Sequence, residues 1–210
     1  MKDLEKDIAE SLLQIKAIKL EPANYFTWAS GWKSPIYCDN RKTLSYPNIR
    51  NKIRNGFAEI IISKFGKPDA IAGVATGAIA IGMLVADTLN LPFIYVRPKP
   101  KEHGLGNMIE GEIGSIKNVV VIEDLISTGK SSLQAVEALR EANIRVLGMV
   151  AIFTYAFDIA ETNFKKSNTE LHTLSNYHIL IEAALKTGYI NESDIETLKK
   201  WRTDPENWKK

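Results

Sequence analysis

Val119-Val120-Val121-Ile122-Glu123-Asp124-Leu125-Ile126-Ser127-Thr128-Gly129-Lys130-Ser131 is the stretch from which the rest of this chain is read. Residues 119–122 are a β-branched apolar run of the kind found in a strand buried on both faces. Two carboxylates, Glu123 and Asp124, come next, followed by a short loop of hydroxyls and a glycine, Ser127-Thr128-Gly129. Beyond Gly129 the rhythm turns helical, with Leu133, Val136 and Leu139 recurring on one face through Glu141. Strand, acids, hydroxyl-rich turn and helix, in that order, set free backbone N–H groups and a positive helix end beside the carboxyl edge of a strand. Such a place binds phosphate.

The acids narrow the ligand. They repel a bare phosphate, whereas a sugar phosphate brings hydroxyls that donate to carboxylates. The phosphate then sits on residues 127–131 while Glu123 and Asp124 hold two neighbouring sugar hydroxyls. The plainer alternative is an acidic strand end and a capped helix in an ordinary α/β protein; the full run favours the ligand. Gly129-Lys130-Ser131 imitates the end of a nucleoside-triphosphate loop, but Asp124 stands where the earlier glycine is required. No G-x-G-x-x-G follows the strand, so a dinucleotide fold is unsupported.

A chain of 210 residues suits one domain with a substantial core. Its 27 basic and 25 acidic residues nearly cancel, which argues against a global field for nucleic acid or anionic membrane. The single cysteine, Cys38, excludes an intrachain disulfide and fits a reducing compartment. As a lone thiol it reads as a small buried side chain, not a nucleophile. The charged start lacks a secretory segment, and the longest uncharged stretch, residues 70–86, is interrupted by glycines. A cytoplasmic protein is expected.

Elsewhere the chain reads as an α/β sheet protein with a small N-terminal appendage. Leu4, Ile8, Leu12 and Ile15 give an amphipathic first helix. Residues 26–37 hold two short β-like runs around a Ser-Gly turn, rich in aromatics that fill a core or present one face to a planar base. A helix spans residues 47–65 and ends at Gly66. Strands follow at 70–74, 93–96, 145–153 and 171–174, with helices at 79–89 and about 157–165. Ser193-Asp194-Ile195-Glu196 reads as a capping box opening the last helix. Small residues Ala75-Thr76-Gly77-Ala78 allow close backbone approach to a ligand, or simply tight packing. His172 and His178 lack partners at metal spacing and read as structural or surface residues.

The least regular segment is Arg97-Pro98-Lys99-Pro100-Lys101-Glu102-His103-Gly104-Leu105-Gly106-Asn107. Its prolines and glycines forbid a stable helix. A solvated basic loop is one reading, but it follows the carboxyl end of a strand, where α/β sheets place ligands. Arg97, Lys101 and His103 suit closure over a polyphosphate.

The run from Val119 to Ser131 resembles the phosphoribosyl pyrophosphate signature of the type I phosphoribosyltransferases. Phe26-Thr27-Trp28-Ala29-Ser30-Gly31-Trp32-Lys33-Ser34-Pro35 resembles the N-terminal hood of the orotate phosphoribosyltransferases, and the segment from Arg97 to Gly104 resembles their catalytic loop. The resemblance implies a single domain: a mostly parallel central sheet flanked by helices over about residues 46–190, with a hood mainly from about 1–45. It implies transfer of a phosphoribosyl group to orotate, with magnesium carried on the pyrophosphate and no protein metal ligands. It also implies a homodimer that shares the catalytic loop between subunits. Lys101, His103 and Asp124 are then the catalytic residues. Phosphoribosyl pyrophosphate falls to Arg97, Lys101, His103 and Glu123 through Ser131, and Ser127 also contacts orotate. Three places depart from the family: Pro98 stands where many relatives have lysine, Ala29 where some have a cation, and Tyr155-Ala156-Phe157 supply no arginine. A phosphoribosyltransferase for another base and a regulator that senses phosphoribosyl pyrophosphate are the alternatives.

Overall fold

The parallel strands expected from the apolar runs pair into one sheet. A computed structural model describes residues 2–99 and 108–209. The chain opens with helix α1 (Lys2–Gln14), then strands β1 (Ile18–Leu20), β2 (Phe26–Thr27), β3 (Lys33–Ser34) and β4 (Ile36–Cys38). A 3-10 turn, Asn40–Ser45, leads into α2 (Pro47–Phe65), β5 (Ala70–Val74), α3 (Ile79–Leu89), β6 (Phe93–Val96) and β7 (Ile109–Glu110). There follow β8 (Asn118–Ile126), α4 (Lys130–Glu141), β9 (Arg145–Thr154), α5 (Asp158–Lys166), β10 (Leu171–Asn176), α6 (Tyr177–Lys186) and α7 (Glu192–Thr203).

The main sheet has the order β10-β9-β8-β5-β6-β7 and is parallel except for the short edge strand β7, which is antiparallel to β6. Alternation along β8 feeds two cores. Val120 and Ile122 face one side with Ile53, Phe57, Ile81 and Leu180, and Val119 and Val121 face the other with Val136, Leu139 and Phe164. Helices therefore cover both faces, as a parallel sheet requires. Helix α1 packs across α6 and β10. A 13-residue helix is marginal alone in water. Full burial of Ile8 and Leu12 holds it in place, at about 1.5–3 kcal/mol each.

Two boundaries correct the sequence expectations. Strand β8 runs on through Glu123 and Asp124 to Ile126, because β9 continues the ladder to Ile126–Thr154. The acids thus lie inside the strand, not after it. The last helix is capped two residues earlier than expected, at Asn191, whose N–H donates to Asp194 Oδ2 at 3.0 Å. Among the described residues, no helix is long and apolar enough to cross a membrane.

Candidate active site

From β5 the chain moves outward to β6, and from β8 it moves the other way to β9, so a crevice opens between the carboxyl ends of β5 and β8. In it the Asp124 carboxylate lies directly against Gly77, and any Cβ at position 77 would collide with it. Gly77 is a glycine because the acid occupies that space. The surrounding turn is pinned by Ala75 N–H donating to Val96 O at 2.9 Å and Ala78 N–H to Val74 O at 3.1 Å.

Continuation of the strand sends neighbouring acids to opposite faces. Asp124 is half-buried at the crevice, and its carbonyl accepts from Asn40 Nδ2 at 2.6 Å. Glu123 is only 5% exposed and points toward the first turn of α4. Its Oε2 accepts from Ser132 Oγ at 2.8 Å, and its Oε1 from the Asp124 N–H at 2.9 Å. Burial, then the charge of Asp124, pushes the Glu123 carboxyl well above the ordinary carboxylate range.

The loop after β8 leads from the strand into the first turn of α4. Among the described residues, nothing accepts the N–H groups of Ser127, Thr128 or Gly129. Lys130 and Ser131 are exposed and begin α4, where first-turn N–H groups lack helical partners. Helix α5 braces the loop from behind: Asn163 Nδ2 donates to Thr128 O at 2.9 Å, and the Phe164 ring packs on Gly129. Gly129 has φ +77°, and a Cβ there would stand 2.7 Å from Phe164. Gly129→Ala is therefore strained in both backbone and space. It is expected to destabilise the fold by about 1–3 kcal/mol and to weaken phosphoribosyl pyrophosphate binding. Denaturant unfolding and the KM for that substrate check it; unchanged values would show the loop tolerates another shape. Thr128 and Lys130 also line a groove of about 880 Å³ reaching to Pro98 and Met108, the flanks of the expected catalytic loop.

Residues 42–186 match the phosphoribosyl transferase domain. An orotate phosphoribosyltransferase of Phocaeicola vulgatus is 62% identical over 208 residues, covering 99% of this chain and 98% of that one. The chain belongs to the orotate phosphoribosyltransferase family. Solved structures agree on the fold. The UMP synthase of Leishmania donovani superposes at a TM-score of 0.78 with 27% identity, over 94% of this chain and 42% of that longer one. An orotate phosphoribosyltransferase from Aeropyrum pernix superposes at 0.74 with 24% identity, over 88% and 99% of the two chains.

The N-terminal segment expected to form a hood is clamped by aromatic rings. Trp28 stacks on Tyr155 at 5.1 Å and meets Trp201 edge-on at 5.7 Å. Trp28 Nε1 donates to Ile36 O at 3.0 Å and Trp201 Nε1 to Lys33 O at 3.2 Å, so α7 is bonded to the hood. Tyr155, where some orotate phosphoribosyltransferases would be expected to bring arginine nearby, is 2% exposed among Trp28, Phe157 and Trp201. That position faces a core. Burial, then Asp124 and Asp39, raises the Cys38 thiol well above its usual range, which disfavours a thiolate nucleophile.

At the loop's base, Arg97 N–H donates to Met108 O at 2.8 Å and the Arg97 guanidinium meets Glu110 Oε1 at 3.5 Å. Lys101 and His103 lie outside the described residues. His172 pairs with Glu170 at 2.7 Å, and His178 Nε2 accepts from Arg202 at 3.3 Å, both away from the crevice. Among the described residues, no three of His, Cys, Asp and Glu gather to hold a metal. With Glu123 turned inward and Asp124 at the crevice, the donor set fits magnesium bound chiefly by substrate phosphates and water. Asn40, Ser132, Asn163 and Trp201 are site-building residues that sequence reasoning missed. Only Ser132, one residue beyond the signature, carried a local clue.

Proposed function

We propose that this chain transfers the 5-phosphoribosyl group from phosphoribosyl pyrophosphate to orotate, giving orotidine 5′-phosphate and pyrophosphate, a step in making UMP, in the cytoplasm. The observation that carries this reading is Asp124 seated on Gly77 beside the N–H groups of residues 127–129, which have no acceptor among the described residues. A sugar phosphate meets both at once.

The anomeric C–O bond breaks, its electrons leave with the pyrophosphate, and a ring nitrogen of orotate bonds to the anomeric carbon as its N–H proton is released to solvent. Residues 127–131 grip the 5′-phosphate through N–H groups and hydroxyls, and Ser127 also contacts orotate. Asp124 holds a ribose hydroxyl and favours the cationic ring electrostatically. Glu123, bonded to Ser132 in the free protein, takes a second ribose hydroxyl. Arg97, Lys101 and His103 draw charge toward the departing pyrophosphate. Magnesium, carried by the pyrophosphate rather than by protein ligands, would supply further charge neutralisation. Closure of the loop keeps water from the oxocarbenium-like carbon.

The protein is incubated with phosphoribosyl pyrophosphate, magnesium and, in turn, orotate, adenine and hypoxanthine, following base consumption and pyrophosphate release. Consumption of orotate alone is expected. Turnover of a purine would select another base, and binding without turnover a sensor.

A homodimer sharing its catalytic loop is part of this proposal. Lys101→Ala and Asp124→Ala are each expected to be inactive, whereas co-expressed subunits regain about a quarter of full activity if the loop acts across the dimer. A mixture as inactive as its parents would place the loop in its own subunit's site.

A further inference from the structure

Orotate carries a carboxylate, yet Ala29, Pro98 and the buried Tyr155 offer it no cation. Another does stand beside the crevice. Arg41 belongs to the 3-10 turn after β4, and the residue before it, Asn40, is the one bonded to the Asp124 carbonyl at 2.6 Å. Its Nε donates to Asp39 Oδ1 at 2.7 Å, and the Arg41 side chain is 61% exposed. Neither Nη group donates to a protein atom among the described residues. Among the described residues, Lys33 donates to Thr27 Oγ1 and Lys42 to the carbonyl of Lys16, and Arg97 belongs to the pyrophosphate side of the proposed reaction.

With Nε on Asp39, the end-on fork, Nη1 and Nη2, stays open among the described residues. That fork is the geometry that takes a planar carboxylate through two parallel hydrogen bonds. After Asp39, the charges of Asp124 and the exposed Tyr37 also raise the Arg41 pKa. An ordinary surface ion pair would explain the Asp39 contact alone, and such pairs contribute little. It would not explain an open fork next to a site whose acceptor needs a cation.

We propose that Arg41 is a specificity-determining residue that binds the carboxylate of the acceptor base, with Asp39 positioning its guanidinium. This rests on the reaction proposed above and adds the residue that tells orotate from a base without a carboxylate.

The test compares the full-length protein with Arg41→Gln and Arg41→Lys. It measures KM for orotate, KM for phosphoribosyl pyrophosphate, and inhibition by uracil, which has the ring without the carboxylate. For Arg41→Gln, the orotate KM is expected to rise on the order of 100-fold, while the other two constants move by less than about 3-fold. Arg41→Lys restores part of the loss, because a point charge replaces a fork. An orotate KM within about 3-fold of the parent overturns the proposal. So does a parallel loss of orotate and uracil binding, which would mark a general hood defect, or a rise confined to phosphoribosyl pyrophosphate, which would assign the guanidinium to the pyrophosphate. If the parent protein itself fails to consume orotate, the reaction is wrong; if it consumes orotate and Arg41→Gln does so equally well, only the role of Arg41 is wrong.

Discussion

Asp124→Asn is expected to lower kcat by about 10²- to 10³-fold with the fold intact. The substitution nearly preserves shape, so the side chain still fits against Gly77, and the Asn40 bond to the Asp124 carbonyl is untouched because it uses the backbone. What disappears is a negative charge facing the sugar as its ring turns cationic. That charge matters more in the transition state than in the bound substrate, so the loss falls on kcat more than on KM. Steady-state kinetics beside a thermal melt separate the two effects. A kcat within a few-fold of the parent would remove Asp124 from the chemistry.

Trp201→Ala is expected to cost about 3–5 kcal/mol of stability, the largest structural effect of any single side chain discussed here. The residue is fully buried, with the rings of Phe157 and Tyr177 at 5.4 and 5.5 Å and those of Trp28 and Tyr155 at 5.7 and 5.8 Å. Deleting it opens a cavity at the junction of β9, α6, α7 and the hood. It also frees the Lys33 carbonyl that the indole N–H satisfies. Urea unfolding measures the loss. Trp201→Phe keeps much of the packing but loses the hydrogen bond, so it should cost less. If Arg41, in the turn just after β4, binds the orotate carboxylate as proposed, the orotate KM should rise more than the KM for phosphoribosyl pyrophosphate in a folded Trp201→Phe protein. Equal stability of the alanine variant and the parent would mean α7 does not hold the hood.

What the sequence made legible is what local pattern encodes. The apolar runs at 70–74, 93–96 and 145–153, the helix after Gly129 and the turn before it all carry short-range periodicity or a recognisable turn. The end of β8 was not legible, since two adjacent charges look like a strand end until β9 is seen pairing past them to Ile126. For the same reason the different surroundings of Glu123 and Asp124 could not be read. They depend on Ser132 from one layer and Gly77 and Asn40 from others. The clamp of Trp201 on Lys33 spans 168 residues and leaves no spacing signal. The capping box was displaced because Ser193 and Asn191 are both acceptable caps, and the structure uses Asn191.

The most direct test of the site is a crystal structure of the protein with phosphoribosyl pyrophosphate and magnesium bound. The 5′-phosphate is expected on the N–H groups of residues 127–131, with a ribose hydroxyl on Asp124 above Gly77. Density for the substrate elsewhere, with Asp124 turned from an empty crevice, would contradict it.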